Sequence, residues 1–387
     1  MDTLALAAEL HDPLITWRRD FHMHPELGLE EHRSAGIIAG VLRGLGYCVQ
    51  EGVAKTGVVG VLENGPGPVV MSRVDMDALP IQEANDVPYI SQHPGLMHAC
   101  GHDAHMAIGL GVATLMAQHR DAWHGTLKLI FQPGEEGMNG ADIMVKEGVL
   151  ENPRPDKMLA IHVWNKNPVG AFGATAGPVM AGAESWYATI TGKGGHGAMP
   201  EQTVDPIVVA ALIINALQTI VSRNISPLDT AVVTVGALLS GDAFNVIPDS
   251  AELRGTIRTY NLETRDMAIR RVREIVEGTA RMMGAEATIG LYPLTPPLVN
   301  DANVTALVRD VVADLFGADA LKSDVRTMGS EDCAFFLQEI PGCFIFIGSG
   351  FAGREAPAHH NAHFDIDEKA LVNGVAVVVE VLQRLLR

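Results

Sequence analysis

The stretch ESWYATITG, Glu184–Gly192, breaks the pattern of everything before it. Trp186, Ala188 and Ile190 alternate with polar neighbours, the period of a strand with one buried face. DPIVVAALIINALQTIVS (205–222) then reads as a helix. TAVVTVGALLSG (230–241) and AELRGTIRTY (251–260) read as two strands joined by a loop. RDMAIRRVREIVEGTARMMG (265–284) is a second helix, with Arg and Glu on one side, and EATIGLY (286–292) is a closing strand. The order β-α-β-β-α-β is the ferredoxin-like signature. It is expected to span residues 182–293 and to end at the PLTPPL breaker.

The chain on either side has a different rhythm. AGIIAGVLRGLGYCV (35–49) predicts an amphipathic helix ending near Gly46. GVVGVLE (57–63), GPVVMSRVD (67–75), GTLKLIFQ (125–132) and KMLAIHVWN (157–165) predict buried strands, with AHMAIGLGVATLMAQHR (104–120) a helix among them. After the insertion, VTALVRDVVADLF, CFIFIGSG and KALVNGVAVVVEVLQRLL resume helix, strand and helix. This βαβ rhythm argues for an α/β domain with a mostly parallel sheet. It would be built from residues 1–181 and 294–387 and interrupted by the small α+β insertion. In such sheets ligands collect beyond the strand C-termini.

Composition narrows the functional classes. The 387 residues are 47% apolar and 19% charged, the profile of a folded chain long enough for two or three domains. Lys and Arg number 28 against 46 Asp and Glu, a net charge of −18. Neither nucleic acid nor an anionic membrane surface is an expected partner. MDTLALAAELHDPL (1–14) lacks a basic n-region, so no signal peptide is expected. No apolar run approaches the ~20 residues of a membrane helix. Cys48, Cys100, Cys333 and Cys343 have no disulfide-framework spacing, which fits a cytoplasmic location.

Chemistry concentrates at the predicted strand ends. MHACGHDAHMA (97–107) places Cys100 and His102 two apart, before an apolar helix, where both can converge on one point. FQPGEEG (131–137) leaves a strand with Glu135 and Glu136 side by side. Adjacent side chains there diverge, so one carboxylate can grip a cation while the other reaches a water beside it. AIHVW sets His162 at the end of another strand, and HHNAHFD (359–365) adds three imidazoles. Each has a plain alternative: a polar loop, an exposed acidic turn, a satisfied core histidine. Together, thiolate, imidazole and carboxylate suit zinc, manganese, cobalt or nickel. Five candidate ligands exceed a closed tetrahedral site, so two divalent metals per subunit are expected. Asp75 and Asp77 of VDMDALP are either ligands or the groups that orient a ligating histidine. His22 and His24, ahead of Pro25, read as structural. His196 of GGHGAMP and Asn245 of FNVIPD lie in the insertion and matter only if it covers the metal site.

In chain order, RRDFHMHPELGLEE, DMDALPIQE, MHACGHDAH, FQPGEEG, GGHGAMP, NVIPD, GSEDCAFF and HHNAHFD resemble the dimetal amidohydrolase family of hippurate hydrolase, bacterial N-acyl-amino-acid amidohydrolases and plant indole-acetyl-amino-acid hydrolases. More distantly the chain is similar to acetylornithine deacetylase and related carboxypeptidases. The resemblance implies a metallopeptidase-like catalytic domain with a lid and dimerisation domain. It implies Cys100, His102, Glu136, His162 and His360 as metal ligands and Glu135 as general base. His196 would contact the scissile carbonyl, typically from the partner subunit, and Asn245 would help hold substrate. It further implies a homodimer, with tetramers also compatible, and hydrolysis of N-acyl amino acids to a carboxylic acid and a free amino acid. Two departures stand out. Cys333 replaces an aromatic after GSED, and Ala362 replaces a common proline; both blur the specificity pocket and leave the proposed ligands intact.

Three rivals remain at this point. A metallo-dipeptidase or carboxypeptidase would share the same centre. A non-catalytic metal-binding protein would be expected to lose Glu135 and His196, and both are present. A cysteine hydrolase built on Cys100 would leave Glu136, His162 and His360 unexplained.

Overall fold

The computed structural model describes residues 2–354 and 356–387. It divides into two compact units, one of residues 1–177, 299–326 and 332–387, the other of residues 178–298 and 327–331.

The first unit is α/β, built on an eight-stranded sheet. Its spatial order is Cys48–Val53, Gly57–Asn64, Gly125–Gln132, Val69–Asp75, Lys157–Pro168, Gly342–Gly350, Phe172–Gly173 and Leu321–Lys322. The four central strands, from Gly125–Gln132 to Gly342–Gly350, run parallel, and antiparallel pairings occur toward the edges. Parallel strands buried on both faces read as continuous apolar runs, and every residue of Gly342–Gly350 is buried. The edge strand Cys48–Val53 takes up the last two residues, Cys48 and Val49, of the stretch read as a helix ending near Gly46. The helix His32–Gly44 stops earlier, and a turn through Gly46 at φ 85° frees Cys48–Val53 for the sheet edge.

The helix His102–Gln118 is buried on all sides through Met116. It is apolar all round, as a helix enclosed by protein must be. The helices His11–Met23 and Lys369–Leu385 pack against it. Beside its N-terminus lies a buried charge cluster. Arg18 Nε sits 2.9 Å from Asp103 Oδ2, and His22 bridges Asp103 (2.7 Å) and Glu83 (3.2 Å). His22 is therefore structural. Burial alone would raise the Asp103 carboxyl, but Arg18 and His22 outweigh it and hold it well below the ordinary value of 3.8. The stability linked to that depression is present above about pH 4 and lost as pH falls toward the folded value. Asp103→Asn removes the carboxylate nearest the buried Arg18 guanidinium and leaves it the longer contacts to Glu368 (3.3 Å) and Asp365 (3.5 Å). A loss of about 3 kcal/mol is expected at neutral pH by denaturant titration. An unchanged midpoint would remove the cluster from the fold's energetics.

The second unit is α+β. Its four antiparallel strands lie in the order Ala231–Leu239, Ser250–Thr259, Gly182–Thr191, Glu286–Thr295. This is the ferredoxin-like arrangement, with Pro206–Thr219 and Leu262–Met282 as its helices. Along Gly182–Thr191 the first three residues are buried, and beyond them Trp186, Ala188 and Ile190 alternate inward, packed with Ile213, Leu217, Val272 and Val276. The PLTPPL segment does not end the last strand where expected. Glu286–Thr295 is an edge strand paired on one side only, so it tolerates Pro293, which faces Glu184, and a register shift follows at Thr295. The unit is therefore wider than residues 182–293. It also takes in 327–331, because Thr327 N–H donates to Val179 O (3.0 Å) and Ala181 N–H to Gly329 O (2.9 Å).

The helix Pro206–Thr219 continues to Asn224, and together they are long and apolar enough to cross a membrane by length and composition alone. The expectation of no such run therefore fails. One face, with Val209, Ala210, Ile213 and Leu217, is buried on the sheet, while Ile207, Val208, Leu212 and Val221 are exposed on the other.

Candidate metal centre

The turn His98–Gly101 delivers the first donors. Gly101 has φ 90°, and a Cβ there would lie 2.4 Å from Val163 Cγ2, so glycine alone fits between Cys100 and His102. The turn Pro133–Gly140 delivers the glutamates. Asp77 aims them by accepting the backbone N–H of Glu135 at Oδ1 (3.0 Å) and of Glu136 at Oδ2 (2.8 Å). His162 lies mid-way along the central strand Lys157–Pro168 rather than at its end as expected, and the loop after Gly342–Gly350 brings His360.

These groups gather. Donor atoms of Cys100, His102 and His162 lie within 4.8 Å of one another, and so do those of Cys100, Glu136 and His360. Cys100 belongs to both sets. Glu135 joins His102 and Glu136 in a third set within the same reach. Cys100 Sγ is 3.5 Å from His162 Nε2, and His360 Nε2 is 3.1 Å from Glu136 Oε1.

The electrostatics favour a cation. Burial would lower the His102 imidazole, but Asp75 and Asp77 outweigh it and push it up to about 10. Burial, reinforced by the carboxylates of Glu136, Glu135 and Asp75, pushes the Cys100 thiol well up. That is the opposite of what a nucleophilic cysteine needs, so the cysteine-hydrolase reading loses its support. Burial holds His162 well below its ordinary value, which leaves it the neutral imidazole a metal requires. His102 Nδ1–H donates to Asp77 O (2.8 Å), while its buried Nε2 has no hydrogen-bond partner among the described residues. A buried, unpartnered ring nitrogen that faces a thiol and a second imidazole, in surroundings that favour positive charge, fits a divalent cation taking the place of its proton.

Residues 71–384 match the model of peptidase family M20/M25/M40. The chain belongs to this family. It is 38% identical over 389 residues to the IAA-amino acid hydrolase ILR1-like 4 of Arabidopsis thaliana, covering 99% of this chain and 88% of the relative. It is 39% identical over 380 residues to the N-acetyl-L-cysteine deacetylase of Bacillus subtilis strain 168, covering 97% and 89%. Among solved structures, a dinuclear metal binding peptidase of the M20 family from Bacillus subtilis superposes with a TM-score of 0.86 at 34% identity, covering 98% of this chain and 99% of that one.

This M20 chain surrounds its donors with partners the sequence only half disclosed. Asp75 Oδ1 accepts from His105 Nδ1–H at 2.5 Å, and Asp75 Oδ2 from Arg73 at 2.9 Å. Fully buried Arg73 also donates to Gln132 (2.7 Å) and lies 3.3 Å from Asp332. A guanidinium inside the apolar run VVMSRVD had to be paired, and that was the available signal. His105, three residues after His102, stacks on it at 5.3 Å, a same-face helical spacing. Of the three imidazoles in HHNAHFD, His360 joins the donor set, His359 lies against Trp164, and His363 is exposed.

In the second unit, His196 pairs with Val246 in a short ribbon, and Gly197 N–H donates to Asn245 O (2.9 Å), so His196 and Asn245 are neighbours. His196 Nδ1 accepts from Ala198 N–H at 3.0 Å, which places the neutral ring's proton on Nε2.

Proposed function

We propose that this chain is a divalent-metal-dependent amidohydrolase that splits N-acyl amino acids into a carboxylic acid and a free amino acid. The carrying observation is the pair of donor sets sharing Cys100, with Glu135 beside both. The relatives' names add the bond type. An indole-acetyl conjugate and an N-acetyl amino acid differ in acyl group and share the acyl–amino-acid amide.

Cys100, His102 and His162 would hold one cation, and Cys100, Glu136 and His360 the other, with zinc or manganese the first choices and cobalt or nickel also compatible. Bound there, such ions supply Lewis-acid charge that acidifies water and polarises the scissile carbonyl. Glu135 takes the proton of the attacking water on its carboxylate and returns it to the leaving nitrogen. Asp77 keeps Glu135 and Glu136 divergent through their backbone N–H groups. The partner subunit's His196 donates an Nε2–H to the developing oxyanion, and Asn245 beside it binds substrate.

This assignment needs a second copy of the chain. The exposed Ile207, Val208, Leu212 and Val221, with Leu238 and Leu239 on the edge strand Ala231–Leu239, offer an apolar surface for it in the second unit.

The test strips the enzyme with a chelator and reloads it with zinc, manganese, cobalt or nickel. Hippurate, N-acetyl amino acids and unblocked dipeptides are then offered in parallel. Chelation is expected to abolish turnover, and at least one metal to restore it on the N-acyl substrates. Turnover that survives complete metal removal, or that is confined to unblocked dipeptides, would overturn the reading.

A further inference from the structure

The backbone of one residue, Val163, steers three histidine rings. Its carbonyl oxygen lies 2.7 Å from His162 Nδ1 and 3.1 Å from His359 Nε2. A carbonyl only accepts, so both nitrogens carry protons. Its N–H donates to His105 Nε2 at 2.8 Å, which puts the His105 proton on Nδ1, facing Asp75. The result for His162 is a bare Nε2 turned toward Cys100.

His359 is the ring that no assigned role uses. It is largely buried, stacked on Trp164 at 4.8 Å and 28°, 4.9 Å from Phe364 and 5.3 Å from His162. Its neighbour His360 sits at φ 63°, a left-handed conformation unusual for a residue with a side chain, and donates its backbone N–H to Ala99 O at 2.9 Å. The loop is thus pinned twice. One bond ties it to the turn carrying Cys100, and the His359 ring ties it to the strand carrying His162.

We propose that His359 is a positioning residue: its Nε2–H bond to the Val163 carbonyl sets the separation between the donor set of His162 and that of His360. This rests on the metal-centre reading above. It adds that the two sets are held in register by a ring that touches neither cation. Partners that orient ligands typically carry about 10–100-fold in metal affinity.

Three variants test it by metal titration of the apoenzyme against a chromophoric chelator, with no activity readout required. His359→Phe keeps a ring for Trp164 and removes the N–H. It is expected to weaken at least one of the two zinc equivalents by about 10–100-fold. His359→Gln carries an amide nitrogen near the position of Nε2 and is expected to stay within a few-fold of the parent. His359→Asn places its amide near Nδ1, short of the carbonyl, and is expected to lose affinity as the Phe variant does. Wild-type affinity in H359F overturns the proposal. Should H359F not fold, the Gln–Asn pair decides, and equal affinities in those two overturn it. A parent enzyme that binds fewer than two equivalents strikes the metal-centre reading itself, and that outcome is distinct from failure of the variants alone.

Discussion

Glu135→Gln is expected to retain both metal equivalents and to lose turnover by about 10²–10⁴-fold, the usual contribution of a positioned general base. The substitution is nearly isosteric, and Asp77 still accepts the same backbone N–H at 3.0 Å, so the turn has no reason to move. What disappears is a group able to take a proton from water and return it to nitrogen. Elemental analysis checks the first half of the expectation and kcat the second. Near-parental kcat with full metal content would reject Glu135 as the base. The same variant reports on the dimer. Mixed with His196→Ala protomers, each inactive alone, it is expected to regain part of the activity, since one site of a mixed dimer holds an intact Glu135 and the partner's His196. Verified mixed dimers with no recovery would place His196 in its own subunit's site.

Cys100→Ala is expected to do the reverse and lose both metals together. The thiol is common to the two donor sets, whereas His162 and His360 each serve one. His360→Ala should therefore leave one equivalent bound, and Cys100→Ala close to none. The alternative is a merely structural sulfur: Cys100 is buried, and its removal vacates little volume beyond one atom. Unchanged stoichiometry in C100A, measured beside H360A, would support that alternative and dismantle the shared-ligand arrangement.

The fold was readable wherever period alone determines structure. Trp186, Ala188 and Ile190 announced the second unit, and the apolar runs ending at Asp75, Gln132 and Asn165 announced the sheet. What escaped were effects of position in a sheet. Pro293 reads as a breaker, yet on an edge strand its missing N–H costs nothing. Cys48–Val53 went unread as a strand because its six residues bury only Val53 and leave no alternation to detect. The membrane-length run 206–224 was passed over because Asn215, Gln218 and Arg223 interrupt it along the sequence.

The centre was readable as a set of donors. Cys100, Glu135, Glu136 and His360 fall in turns, His102 opens a helix and His162 lies mid-strand, and the structure brings them into overlapping donor sets. Their supports were less visible. His359 and His360 are adjacent and chemically identical, and only the backbone turn at φ 63° separates a ring at the donor set from a ring against Trp164. No local pattern encodes that distinction.

The Val163 backbone constrains variation within this chain. The groups that orient the imidazoles there are main-chain atoms, which only a proline at 163 could remove, and then only the N–H. Substitution at 163 is therefore restrained by bulk, through the Gly101 contact, while slippage of the strand by a single residue would misdirect three rings at once. Proton placement at this centre is stored in how the strand is seated between Val69–Asp75 and Gly342–Gly350, so the letter written at that position can drift while the chemistry stays put.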